Sequence, residues 1–507
     1  MNAIPGIRDR GIRDGDHIAA ADLGSNSFHL VVARWSRGEL RVIDRLRETV
    51  RLAAGVKADG TLTREHRETA LTCLSRFGQR LSAFPVGRVR AVATNAVRQL
   101  ANPQAFLVPA ETALGHPIEI VSGREEARLI YQGVAHGMPL TDNNRLVVDI
   151  GGGSTEFIIG RGFDALERES VQVGCIASTQ RFFGDGKITA QRWQQAQSEI
   201  AVELQQFGAQ FVEHGWSEVI GSSGTAKSIA SIATTNGWSD QGISANAVRR
   251  IRDSLLRSGT IANLDLPGLA GDRASVIAGG VAILQAVFDT FALEQMTVCE
   301  TAMREGLLHD MLGRAMHKDP RHTSITALTE RYGVDAAQVE RVGRTVALLA
   351  DQVAEAWELD PGARDMLGWS VQVHEIGLAI AHSQHHVHGA YIIAHSDLAG
   401  FSRQEQSLLA AILRLHRRKP DQATLRSLPL RLQPIARRLT ALLRLAVLLH
   451  RSHNHAALPE LRLRASGEGQ LMLELPGDWL DQHPLTRIDL ETERSQLKSI
   501  DIRLTVK

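Results

Sequence analysis

Apolar runs in the first third of the chain are short, begin and end sharply, and come in pairs. Ile18-Ala19-Ala20-Ala21 runs into Asp22, a small polar turn follows (Gly24, Ser25, Asn26, Ser27), and Phe28 to Ala33 leaves as a second apolar run. Val147-Val148 reaches Asp149-Ile150 in the same way, turns through Gly151, Gly152, Gly153, Ser154, Thr155 and Glu156, and leaves as Phe157-Ile158-Ile159. Such runs with small turn residues between them predict two buried β-hairpins. Aligning Asp22 with Asp149 also aligns Gly24 with Gly151 and Ser27 with Ser154, an offset of 149 − 22 = 127 residues. One small domain is about that long, so the spacing predicts a duplicated lobe.

Between the hairpins, Arg88 to Arg98 reads as a strand entering a helix, with Thr94 and Asn95 at the cap and Arg98 one turn later. A helix start beside an arginine is a natural anion site. Ile118 to Ile130 is again strand, turn and helix. Ser122 followed by Glu125 fits a capping box, which occupies Glu125 and leaves Glu126 free to face a cleft. After the second hairpin, helical periodicity runs from about Ile188 to Glu213, and Val219 to Lys227 breaks from a strand into a Gly-Ser turn that opens another helix. Met296 to Cys299 is a last short strand before the helix at Thr301 to Leu308.

From Asp319 strand patterns give way to helical periodicity, interrupted at Asp319-Pro320 and Asp360-Pro361. This region carries His374-Glu375, then His382, His385, His386, His388 and His395. A strongly basic stretch, 403–451, follows with Arg414, Arg417, Arg418 and Lys419 at its centre and only Glu405 and Asp421 as acids. Alternating apolar positions from Glu460 onward predict a small α+β tail.

Bulk composition narrows the function classes. A formal net charge of +1 and 22% charged residues exclude a uniformly basic nucleic-acid binder but leave room for local patches. The basic stretch attracts a long polyanion through counterion release, yet has few aromatics on which bases could stack, so no nucleic-acid partner is expected. Three scattered cysteines (Cys73, Cys175, Cys299) make neither a zinc pattern nor a disulfide framework, which suits a reducing cytoplasm. No apolar run approaches the length of a membrane span. The polar, arginine-bearing stretch 1–17 reads as a disordered lead-in.

The chemistry of the hairpins follows from their residues. Three glycines bring backbone N–H groups close to an anion, forming a nest for phosphate. Asp149 entering the turn and Glu156 leaving it place carboxylates where a divalent cation can bridge to that phosphate. Glu126, just before the second hairpin, is the candidate general base for a water nucleophile.

The run Asp22 to Ser27, the run Ser122 to Arg128 and the run Asp149 to Glu156 together resemble the exopolyphosphatase and guanosine pentaphosphate phosphohydrolase family. That resemblance implies an α/β fold with two ribonuclease-H-like, actin-like lobes around a phosphate cleft, at 18–135 and 136–312. It also implies a degenerate HD-like helical domain at 313–455 and a small α+β domain at 456–507. The adjacent His-Asp metal pair of HD domains is His374-Glu375 here, which favours a structural or polyanion-contacting role for the histidines over a bound metal. The expected activity is release of orthophosphate from the end of inorganic polyphosphate. The alternatives are a pppGpp 5′-phosphohydrolase and, from another class, a non-catalytic polyanion sensor.

For the site, the resemblance implies phosphate binding by Gly24, Ser25, Asn26 and Ser27, by Thr94, Asn95 and Arg98, and by Gly151, Gly152, Gly153, Ser154 and Thr155. It adds Gly221, Ser223, Gly224 and Thr225 as part of the same wall. Asp149, Glu156 and Asp22 would hold Mg²⁺, with room for a monovalent cation; Glu126 would be the base, with Glu125 next in line. Arg414, Arg417, Arg418 and Lys419 would line a polyphosphate channel. A cytoplasmic homodimer is expected, pairing through the long helices near Thr345 and Leu408, with peripheral contact at the inner face of the cell membrane left open.

Overall fold

The computed structural model describes residues 12–315, 319–453 and 457–507. The described residues divide into two compact units, 12–315 and Asp319–Lys507. Of the expected lead-in, residues 1–11 lie outside the described residues. Its last part is ordered, because Gly15 N donates to Trp35 O at 2.8 Å and Asp16 pairs with Arg88 at 2.6 Å.

The first unit contains two sheets of matching topology. In chain order their strands are β1 (His17–Leu23), β2 (Ser27–Ser36), β3 (Glu39–Thr49), β4 (Val89–Ala93), β5 (Ile118–Ile120), β6 (Arg145–Ile150), β7 (Thr155–Arg161), β8 (Asp164–Val171), β9 (Glu218–Ser222), β10 (Ile243–Ser244) and β11 (Gln295–Val298). One sheet has the order β3-β2-β1-β4-β5 and the other β10-β11-β9-β6-β7-β8. In each, an antiparallel meander (β1 to β3, β6 to β8) continues into parallel strands on the far side of its first strand. Those first strands are almost wholly buried, as expected where helices cover both faces.

Two helices, Gly123–Gly137 and Met303–Ala315, fill the space between the sheets. Their Leu129, Val134, Leu307 and Leu308 share one core with Ala20 and Val92 of one sheet and Val147 and Ile220 of the other. The helices cross at glycines: a Cβ on Gly133 would lie 1.9 Å from Ala302 O, and one on Gly306 would lie 1.8 Å from Leu129 O. Only residues without a Cβ permit that approach. Helix Met303–Ala315 therefore joins the two lobes.

In the second unit, helices from Pro320–Arg331 to Gln433–Leu449 share a continuous core with the tail strands β12 (Arg462–Ser466), β13 (Gln470–Glu474) and β14 (Arg503–Val506). The tail, expected as a domain of its own, thus packs as part of this unit. Thr345 and Leu408, near which pairing between copies was expected, are buried in that core, and Thr345 Oγ1 lies 2.7 Å from His450 Nε2. No helix among the described residues is long and apolar enough to cross a membrane.

Candidate active site

The two hairpins share one register. Asp22 pairs with His29 across the first and Asp149 with Glu156 across the second, so the offset of 127 holds for both partners (149 − 22 = 156 − 29). His29 therefore occupies the position of Glu156, a correspondence visible by extending the sequence offset by one pair. The hairpin tips face each other closely. A Cβ on Gly152 would lie 3.1 Å from Ser25 Cβ, and one on Gly153 would lie 2.4 Å from Asn95 Oδ1. Crowding, not left-handed backbone, demands these glycines: positions 151 to 153 all have negative φ.

Several expected phosphate ligands already have structural duties. Thr155 is fully buried and its hydroxyl donates to Val173 O, while the Thr225 hydroxyl donates to Ile150 O at 3.0 Å. Neither hydroxyl hydrogen is available to a phosphate. Gly221 lies within β9, where a Cβ would meet Met296 Sδ at 2.7 Å, so it serves packing. Asn95 bridges the lobes by donating from Nδ2 to Gln172 Oε1 at 2.6 Å. Thr94 stands at the N-cap position of the short helix Asn95–Arg98 without a side-chain capping bond. Ser223 adopts φ 86° and its Oγ accepts from Thr225 N at 3.2 Å, closing the first turn of helix Ser223–Thr235. Gly24, Ser25, Asn26, Ser27, Gly152, Gly153 and Ser154 remain at the apposed tips.

The carboxylates separate sharply. Ser122 Oγ accepts from Glu125 N at 3.2 Å, and the Glu125 side chain takes both Nε and Nη2 of Arg128 at 2.8 Å. Glu126 instead faces the cleft, accepting from Arg98 Nη1 at 2.8 Å. Around it lie acids without matching cations. Burial, with Glu126, Asp149 and Glu305 nearby, pushes the Asp22 carboxyl up to about 8, although Arg304 pulls it down. Burial and Glu126 raise Asp149 to about 6 against a hydrogen bond from Ser222. Burial, Glu126 and Asp149 raise Glu156, whose Oε1 accepts from Ser170 Oγ at 2.8 Å.

This donor set fits a divalent cation. Asp22 Oδ1 is buried without a hydrogen-bond partner, and mutual repulsion among the carboxylates is what a cation would relieve. Among the described residues no three His, Cys, Asp or Glu side chains form a ready metal cluster. The trio Asp22, Asp149 and Glu156 is therefore not a closed cage. Mg²⁺ does not need one, since it usually takes one or two carboxylates plus water and substrate phosphate oxygens.

Cations line the other side of the cleft, and the sequence singled out only Arg98 among them as a site residue. Arg98 Nη2 and Arg304 Nε are buried donors that make no hydrogen bond, Glu305 Oε1 standing 3.5 Å from the latter. Arg304 Nη1 lies 2.9 Å from His29 Nδ1. Burial, Arg304, Arg47, Arg273 and Lys227 lower the His29 pKa to about 3, so the ring is neutral and its Nδ1 accepts from the guanidinium. Arg273 lies over Gly224, where a Cβ would come within 2.0 Å of its Nη2. The helix at Thr301 to Leu308 was legible, but nothing local marked Arg304 as a cleft residue.

Comparison with known proteins decides the family. A Ppx/GppA phosphatase family model matches residues 31–315, and a Ppx/GppA phosphatase domain III model matches residues 321–494. The chain belongs to the Ppx/GppA phosphatase family. It is 37% identical over 482 residues to the guanosine-5′-triphosphate,3′-diphosphate pyrophosphatase of Photobacterium profundum, covering 94% of this chain and 95% of that one. A solved exopolyphosphatase from Cytophaga hutchinsonii is 25% identical with a TM-score of 0.54, covering 59% of this chain and 98% of its own. An exopolyphosphatase-like protein at 24% identity, with a TM-score of 0.53 and coverage of 59% and 99%, shares the fold. The domain III match extends past residue 455, in keeping with the single core of the second unit.

In that Ppx/GppA domain III the basic stretch is not a continuous basic face. Arg444 is buried and gripped by Glu493, Arg451 pairs with Asp489 at 2.8 Å, and Arg437 lies 3.6 Å from Asp501. Those acids come from the tail, outside the window in which the charge excess was counted. Arg414, Arg418 and Lys419 are exposed, and Arg417 is half-buried.

Proposed function

We propose that the hairpin cleft binds the terminal phosphoryl group of inorganic polyphosphate and hydrolyses it to orthophosphate and a chain one unit shorter. The observation carrying this reading is the pairing of unmet needs in one buried place. Carboxylates short of positive charge lie beside two guanidinium N–H groups short of an acceptor. A phosphoryl group with a divalent cation satisfies both.

In this reading Arg98 Nη2 and Arg304 Nε donate to the phosphoryl oxygens, and the apposed tips at Ser25, Asn26, Gly152, Gly153 and Ser154 close around them. His29 holds Arg304 in place. Asp149, Glu156 and Asp22 are the candidate ligands for Mg²⁺, which when bound neutralises phosphoryl charge. Glu126 orients a water molecule and takes its proton as oxygen attacks phosphorus and the bond to the bridging oxygen breaks. Arg98 keeps the Glu126 carboxylate oriented. The commitment of Glu125 to Arg128 supports Glu126 over its neighbour as base. Positioning and electrostatic stabilisation supply most of the rate in such reactions. The exposed Arg414, Arg418 and Lys419 offer charge to a long chain, and a homodimer with cytoplasmic residence remains part of the proposal.

A second reading, hydrolysis of pppGpp at its 5′ end, is favoured by the 37% identical Photobacterium profundum relative. The phosphate site does not need to see the base, so one cleft can serve both. Phosphate release from long polyphosphate, short polyphosphate and pppGpp, each with and without Mg²⁺, tests the choice. Mg²⁺-dependent release from long chains supports the first reading, release confined to pppGpp replaces it with the second, and release from none overturns both.

A further inference from the structure

Domain III carries an open cavity of about 450 Å³ whose lining includes none of the hairpin residues, although Arg418 in its wall is also one of those offered to a long chain. That volume falls within the range of small-molecule sites. Three features of its wall point to one kind of occupant.

The first is uncompensated positive charge. Of the cavity arginines, Arg444 is neutralised by Glu493 and Arg451 by Asp489. Arg417 and Arg418 form no ion pair among the described residues, although Glu375 in the same wall attracts Arg417; Arg417 Nη1 lies 3.0 Å from His385 Nδ1. Burial, Arg451 and Arg418 lower the Arg417 pKa against the pull of Glu375, so positive charge is in excess there.

The second feature is a pair of unsatisfied acceptors. His374 and His416 are 1% and 3% exposed and both line the cavity. Each directs Nδ1 at a carbonyl of its own turn, Val371 O at 2.7 Å and Leu413 O at 2.6 Å. That geometry puts the proton on Nδ1 and leaves Nε2 as a bare lone pair. Both Nε2 atoms are buried without a hydrogen-bond partner, with Glu375 Oε1 3.9 Å from that of His374. A fully ionised phosphoryl group offers them no hydrogen, whereas the N–H and O–H groups of a base and sugar do. The third feature is an apolar stretch formed by Leu378, Val447 and Leu448.

We infer that this cavity binds a nucleoside phosphate, its phosphates on Arg417 and Arg418 and its base or sugar donors on Nε2 of His374 and His416. The apolar stretch receives the flat face of the base. A transition-metal ion is the competing occupant, but no three candidate ligands converge among the described residues. The inference stands on residues of domain III alone and does not depend on the reading of the hairpin cleft.

Hydrogen–deuterium exchange and calorimetric titration of the full chain with GDP test it, guanine offering both imino and amino donors. GDP is expected to slow exchange in peptides covering 374–385 and 413–418. Arg417→Ala/Arg418→Ala is expected to raise the Kd of that event at least tenfold, and Val447→Trp, which fills the cavity from its apolar side, to abolish it. Pyrophosphate and guanosine are each expected to bind at least tenfold more weakly than GDP. Protection confined to 22–29 and 149–156 overturns the inference, as does GDP binding unchanged in both variants. Pyrophosphate binding as tightly as GDP overturns it too, and so does binding seen only with Zn²⁺ and lost with chelator.

Discussion

Glu125 and Glu126 are neighbours on one helical turn, yet they enter opposite electrostatic surroundings. Glu125 joins a buried ionic cluster in which Asp310 accepts from Arg128 at 2.5 Å, from Arg314 at 2.8 Å and from Arg90. Burial pushes the Asp310 carboxyl up, but Arg128, Arg314 and Arg90 outweigh it and hold it well below the carboxylate range. Glu126 faces the cleft, where Asp22, Asp149 and Glu156 are all raised. Both clusters are buried and acidic, but only in the first do the neighbouring arginines outweigh burial. The first cluster secures the helices between the lobes. The second leaves its electrostatic demand for a ligand, which is the pattern of a site in which stability has been given up for function.

The comparison breaks most visibly at its satisfied end. Asp310→Ala leaves the buried guanidinium groups of Arg90 and Arg128, and the half-buried one of Arg314, without their shared acceptor and is expected to cost about 3–5 kcal/mol in urea unfolding. At the frustrated end the sign reverses. Asp22→Asn in the presence of chelator is expected to stabilise the protein by about 1–2 kcal/mol. The folded protein keeps a proton on Asp22 up to about pH 8, whereas the unfolded chain releases it near 3.8. The Asp22 contribution therefore falls as pH rises from about 4 to about 8, and thermal melts across that window should show wild type losing ground to Asp22→Asn. Added Mg²⁺ should close the gap.

A pH effect of opposite direction belongs to domain III. Burial and Arg417 lower His385 and His386 to about 4, so the unfolded chain protonates first as pH falls below 6.5. Their contribution is lost between pH 6.5 and about 4, by about 1–2 kcal/mol after solvent screening, and acid unfolding curves of His385→Gln against wild type measure it.

The hairpins, the duplication and the capped helix bearing Glu126 were legible in the sequence because each is local. Apolar runs, turn residues and a capping serine act within a few positions of themselves. The 127-residue offset even carried the strand register, and extending it by one pair would have found His29. Arg273, Arg304 and Lys227 were not legible as cleft residues, since folding alone brings them to it from separate elements. The partners of the basic stretch were hidden for the same reason: Glu493, Asp489 and Asp501 lie 38 to 64 residues beyond the arginines they meet. Thr155 and Thr225 looked like phosphate ligands by position, and their hydroxyls were already spent on carbonyls of neighbouring strands and loops.

Single-turnover phosphate release by Glu126→Gln, with substrate binding followed in parallel, tests the division between the two glutamates most directly. Turnover of long-chain polyphosphate should fall about 10²- to 10⁴-fold while binding survives, the usual size of a general-base contribution. Wild-type turnover in Glu126→Gln, with loss of turnover in a folded Glu125→Gln instead, would contradict the account.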